Sequence, residues 1–176
     1  MSINSKTTFI LKAMRVIAWI AFLGFLIQGL AILGLTIFTS IKDSGAEDFY
    51  DHADLSVLFD YSEVQFIVFN SFVVLGYFLK SLVWFFVIKT LSQFNLSQPF
   101  TMNVISRLEQ ISVVSLSVWI ASVIANVHQN YLLHRTGEFF GDKATGEFLF
   151  MAGLVFVISQ IFKRGIEIQA ENELTV

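Results

Sequence analysis

VQFIVFNSFVVLGYFLKSLVWFFVI, Val64 to Ile88, decides how the chain must be read. A hydrocarbon core of roughly 30 Å takes about 20 apolar residues to cross as a helix, and this stretch supplies them with one charge, Lys80, inside. A lysine in a water-filled cleft needs no explanation. One in hydrocarbon does.

Three more segments have the same character. Val16–Phe38 carries no charge. Ile111–Val127 is strongly apolar and reaches full length if its helix starts near Val104, giving a span over 104–127. Phe148–Phe162 is short and needs Gly146, Glu147 and the residues after Lys163, giving 146–166. Between them lie an acidic loop, 39–63, a connection, 89–103, and a tail, 167–176. The expected fold is therefore all-α: one integral membrane bundle of four transmembrane helices.

Composition agrees. The 176 residues are 55% hydrophobic and 14% charged, with a mean hydropathy of +0.70. Water-soluble domains carry about 25% charged residues, so lipid is expected to wet much of this surface. The chain has no cysteine, which excludes disulfides, thiolate nucleophiles and sulfur-ligated metals. The first span follows Lys6, Lys12 and Arg15, but its 23 residues exceed the roughly 7–15 of a cleaved signal. It is read as a retained span.

Lys and Arg collect on cytoplasmic flanks. Lys6, Lys12, Arg15, Lys89, Arg107, Lys163 and Arg164 fall on one side, and Lys42, Arg135 and Lys143 on the other. Both termini are thus expected in the cytoplasm of a bacterial cell, with the protein in its inner membrane. The outer loop holds Asp43, Glu47, Asp48, Asp51, Asp54, Asp60 and Glu63 against Lys42, a local charge of −6. Such a loop suits the face away from anionic lipid.

An ionisable residue within a span is a functional hypothesis by default. Lys80 is about 13 Å from Lys89 at ~1.5 Å per residue, and its side chain leans back over Gly76 with Tyr77 beside it. Glu109, near the start of the next span, is the acidic residue that a short hairpin could bring to it, with Gln110 adjacent. The alternative is snorkelling, with the ammonium reaching the headgroups along its apolar stem. Gln28 and Gln160 are further polar positions inside spans. In the third span Ser117, Ala121 and Ala125 form a small-residue stripe of the kind that lets helices approach closely in lipid, within one bundle or between two copies in a homo-oligomer.

No catalytic signature is present. His52, His128 and His134, with Glu138, match no zinc spacing, and the acidic loop lacks the alternation of a calcium loop. Neither a metal nor a cofactor is expected, nor an enzyme. The basic residues are sparse and flank the membrane, which gives no footprint for direct nucleic-acid binding. Pro99 should end the helix before it, and Thr101 or Asn103 should cap the next.

The tail IFKRGIEIQAENELTV, Ile161–Val176, and the connection NLSQPFTMNVISRLEQI resemble the small bacterial four-span membrane proteins typified by YoaS. The shared features are the basic pair Lys163 and Arg164 before a glutamate-rich helix, Pro99 and Phe100 ahead of the third span, and the Arg107–Leu108 pair. That resemblance implies a regulatory membrane protein, because genes of such proteins often lie beside one for a small helix-turn-helix regulator. Pro99, Phe100, Arg107, Lys163 and Arg164 would then face a cytoplasmic DNA-binding partner. The residues leave two rivals open: a small permease or immunity-type protein that binds or passes a solute, and a structural subunit of a larger complex.

Overall fold

In lipid an apolar segment has no water to satisfy its N–H and C=O groups, so it must bond them internally, as a helix does. The computed structural model describes residues 3–41, 55–93, 101–141 and 146–173 and is all-helical. Its elements are α1 (Ile3–Ile41), the short α2 (Ser56–Tyr61), α3 (Glu63–Gln93), α4 (Met102–Thr136) and α5 (Glu147–Glu173). α1, α3, α4 and α5 are each long and apolar enough to cross a membrane.

These helices extend beyond the apolar cores that announce them. α1 begins at Ile3 rather than Val16, α4 ends at Thr136 rather than Val127, and α5 continues to Glu173. Hydropathy stops at the first charges, whereas a nucleated helix adds a hydrogen bond with each further residue whatever its polarity. α4 shows how its limits are set. The Thr101 side chain accepts from the Val104 N–H at 3.4 Å, one of the two caps expected. At the other end Gly137 takes the left-handed conformation, φ 78°, and its N–H bonds the Leu133 carbonyl, the usual glycine stop.

Helix α2 corrects the reading of 39–63 as loop throughout. Its Leu58 is fully buried with Phe66 of α3, Leu132 of α4 and Phe140 of the following turn. Phe59 meets Phe66 edge-on at 5.5 Å, and Phe69 meets Phe140 at 6.1 Å. A cluster of acidic residues dominates the local composition and conceals this apolar core. The resulting cap closes one end of the molecule, here called the α2 end; the opposite, terminal end holds the start of α1 and the end of α5. The remainder of the acidic loop, 42–54, lies outside the described residues.

The extensive contacts join helices consecutively: α1 on α3, α3 on α4, α4 on α5. Within their most apolar stretches, 22% of α3 and of α4 is buried against 11% of α1 and of α5. The helices therefore form a row with α3 and α4 in the middle.

Two seams show how the row is held. Between α1 and α3, Gly29 admits the neighbouring backbone so closely that a Cβ there would lie 3.2 Å from Tyr77 Cβ. Phe25 packs on Tyr77 and Phe22 on Phe85, and Arg15 donates to the Leu91 carbonyl at 2.8 Å. Between α4 and α5, Ser112 Oγ donates to the Ala152 carbonyl at 2.8 Å, with Ser115 and Ser159 fully buried nearby. Small and hydroxyl side chains allow this close approach.

The expected packing residues are placed differently. A Cβ on Gly76 would meet nothing within 4 Å. Ala121 and Ala125 line a cavity instead of a helix seam, and Ser117 bonds its own helix at the Val113 carbonyl. The true seam residues, Ser112 and Ser115, lie earlier on α4.

Candidate ligand cavity

Small residues line the space between α3 and α4: Gly76 on α3, and Ala121, Ser122 and Ala125 on α4. Missing side-chain volume becomes space. The result is a cavity of about 550 Å³ bounded by these residues, by Phe69, Phe72 and Tyr77 of α3, and by Phe148 of α5. That volume is within the roughly 300–1,000 Å³ of small-molecule sites.

Lys80 lines this cavity. Its Nζ lies 5.6 Å from the Tyr77 ring centre and 5.8 Å from that of Phe148. Both distances are within the ~6 Å over which a ring face attracts a cation. The side chain is half-buried, and no carboxylate among the described residues pairs with it. Toward the terminal end Val83, Ile111 and Val118 pack with Leu79 and Phe86 into an apolar floor.

The structure does not bring Lys80 and Glu109 together. Glu109 Oε1 accepts from Gln160 Nε2 of α5 at 3.3 Å. Lys80 shares its level with Ala121, and Glu109 is twelve residues from Ala121, about 18 Å along the helix at ~1.5 Å per residue. A hairpin connection guarantees that α3 and α4 are neighbours but leaves their vertical register open.

The other expected polar positions disperse. Gln110 accepts from Arg107 Nη1 at 2.7 Å on the same helix, Gln28 is exposed, and Tyr77 belongs to both the cavity and the α1 seam. Lys163 is exposed, and Arg164 pairs with Glu167 at 2.9 Å on the exposed surface of α5. Pro99, Phe100 and His52 lie outside the described residues.

Sequence reasoning missed Gln129. It is only 5% exposed, lines the cavity at the α2 end, and its Oε1 is buried with no hydrogen-bond partner among the described residues. The turn that follows is built around it: Gly141 has φ 78°, and a Cβ there would lie 3.3 Å from Gln129 Nε2 and 3.5 Å from Phe69 Cζ. A signal was available. Ser122, Asn126 and Gln129 repeat at spacings of four and three, which puts a polar stripe on one face of an otherwise apolar helix. Beside it His128 Nε2 is 2.9 Å from Gln65 Oε1, and its ring lies tilted against Phe72 at 5.7 Å.

The fold and cavity define a class: an all-helical chain with four helices of membrane-spanning length and a polar chamber between three of them. The chain belongs to the family described as protein of unknown function DUF2975, whose model matches residues 45–176. No curated protein and no solved structure matches it.

Proposed function

We propose that this is a sensory membrane protein of the bacterial inner membrane, without catalytic activity, whose input is a small molecule held in the cavity beside Lys80. Both termini lie in the cytoplasm, as the distribution of lysine and arginine supports. The output runs through α5, which touches the cavity at Phe148, is exposed over 167–171 and continues to Glu173. The partner is a small helix-turn-helix regulator, the assignment that the resemblance to YoaS-like proteins supports.

The observation that carries this reading is a lysine that has no hydrogen-bond or ion-pair partner among the described residues and faces a chamber of ligand size. A charge within a span is costly and is kept where it has a task. Sensing is favoured over passage of a solute by the apolar floor of Val83, Ile111 and Val118.

The test fills the chamber. Ala125→Trp should change expression from the promoter controlled by the neighbouring regulator, with the membrane protein present at its normal level. An unchanged reporter would remove the sensory reading. The absence of cysteine supplies an independent check: Ser122→Cys should react with a small water-soluble thiol reagent, and Val113→Cys, on the exposed apolar face, should not.

A further inference from the structure

The cavity has two chemically different ends. At one, Lys80 offers an ammonium with three donors and makes no hydrogen bond or ion pair among the described residues. Two aromatic rings at 5.6 and 5.8 Å are its nearest polarisable company. Ring faces hold a cation more weakly than a hydrogen-bonded anion would in the same place. At the other end Gln129 is 95% buried, since 5% remains exposed, and its Oε1 lacks a donor. A buried acceptor left unmet is destabilising, because it has given up water without gaining a donor.

Between the two ends the walls include Phe69, Phe72, Val73 and Phe148. Eleven residues separate Phe69, which sits by Gln129, from Lys80. That is about 16 Å along α3, shortened to roughly 10 Å by the lean of the lysine toward the amino end of its helix. Glu147, exposed at the first turn of α5, adds a second acceptor to the lining.

We propose that the cavity binds an amphiphile about 10 Å long, with an anionic group on Lys80, an apolar body against the phenylalanines, and an N–H or O–H donor on Gln129 Oε1. This assignment rests on the reading of the cavity as a ligand site. The anion is a carboxylate or phosphate, carried by a free molecule or by a lipid headgroup. A molecule of this shape meets both groups at once; one lacking the donor leaves the buried Gln129 Oε1 unpaired, and one lacking the anion leaves the half-buried Lys80 without a counter-charge.

The experiment uses the full chain in phosphatidylcholine nanodiscs with tritiated ω-hydroxydecanoate as probe, read by scintillation proximity. Saturable binding is expected, weakened at least tenfold by Lys80→Met. Gln129→Leu should reduce the affinity to that of decanoate, while the affinity for decanoate itself stays within twofold. Adding phosphatidylglycerol to the discs separates the two sources. A free ligand keeps its affinity within twofold, whereas a headgroup site is occupied by the lipid, so that probe binding falls at least tenfold and native mass spectrometry finds one lipid retained by the wild type and lost from Lys80→Met. Either result keeps an anion at Lys80.

Absence of saturable probe binding in phosphatidylcholine, or a Lys80→Met affinity within twofold of wild type, would overturn the assignment. The neutral α,ω-decanediol separates this failure from that of the broader reading. If the diol binds and Ala125→Trp excludes it, the cavity still holds a ligand but not by an anion. If neither molecule binds, both readings fall.

Discussion

Gln160 Nε2 donates to Glu109 Oε1 at 3.3 Å, tying α5 to α4 about 18 Å from the level of Lys80 along α4. Lys80 and Glu109 therefore belong to separate layers. A double-mutant cycle of Glu109→Ala with Gln160→Ala should give a coupling of about 0.6 kcal/mol, the average for hydrogen bonds between helices in lipid. The cycle of Lys80→Met with Glu109→Ala should be additive to within about 0.5 kcal/mol, as for distant sites. Reversible unfolding in mixed micelles measures both, and a coupling above about 1 kcal/mol between Lys80 and Glu109 would contradict the observed register.

Gly29, on α1 against Tyr77, and Gly76, on α3 itself, should respond in opposite directions. Gly29→Ala places a Cβ 3.2 Å from Tyr77 Cβ and should destabilise the α1 seam by about 1–3 kcal/mol, the usual cost of overpacking. Gly76→Ala meets open space and gains about 0.5–1 kcal/mol from helix propensity. Thermal melts of the two variants in one detergent give the comparison.

Leu58 is fully buried in the α2 cap, so Leu58→Ala should cost about 2–5 kcal/mol as a core truncation. Amide hydrogen exchange localises the effect. Protection should fall in α2 and around Leu132 and Phe140 and stay unchanged at the Ser112–Ala152 seam, which shares no partner with the cap.

Gly141→Ala should be harmful for two separate reasons. The φ of 78° costs a residue with a Cβ about 1–2 kcal/mol, and the new atom crowds Gln129 Nε2 at 3.3 Å. Probe binding should weaken in Gly141→Ala, whereas Gly137→Ala, which shares the backbone angle but has nothing within 4 Å, should lose stability with binding intact.

Particular residues explain how much could be read beforehand. The spans were legible because each is an apolar run longer than any competing structure would use, and Thr101 announced the start of α4 through its hydroxyl. α2 was hidden because Asp60 and its acidic neighbours outweigh Leu58 in any average over the loop. Lys80 was visible as an anomaly, but its surroundings were not, since they depend on the register between α3 and α4. That register is fixed where Val83 of α3 packs with Ile111 and Val118 of α4 and where Phe66 packs with Leu132. Ala121 and Ala125 looked like seam residues and mark empty volume instead, a distinction that only the neighbouring backbones make.

The consecutive order of the row also governs how the molecule can be made. Each helix finds its main partner in the one that entered the membrane just before it, so α3 can dock on α1, α4 on α3 and α5 on α4 without waiting for a distant segment. The chamber beside Lys80, walled by α3 and α4, gains Phe148 only when α5 arrives, so its completion is the last event of that sequence.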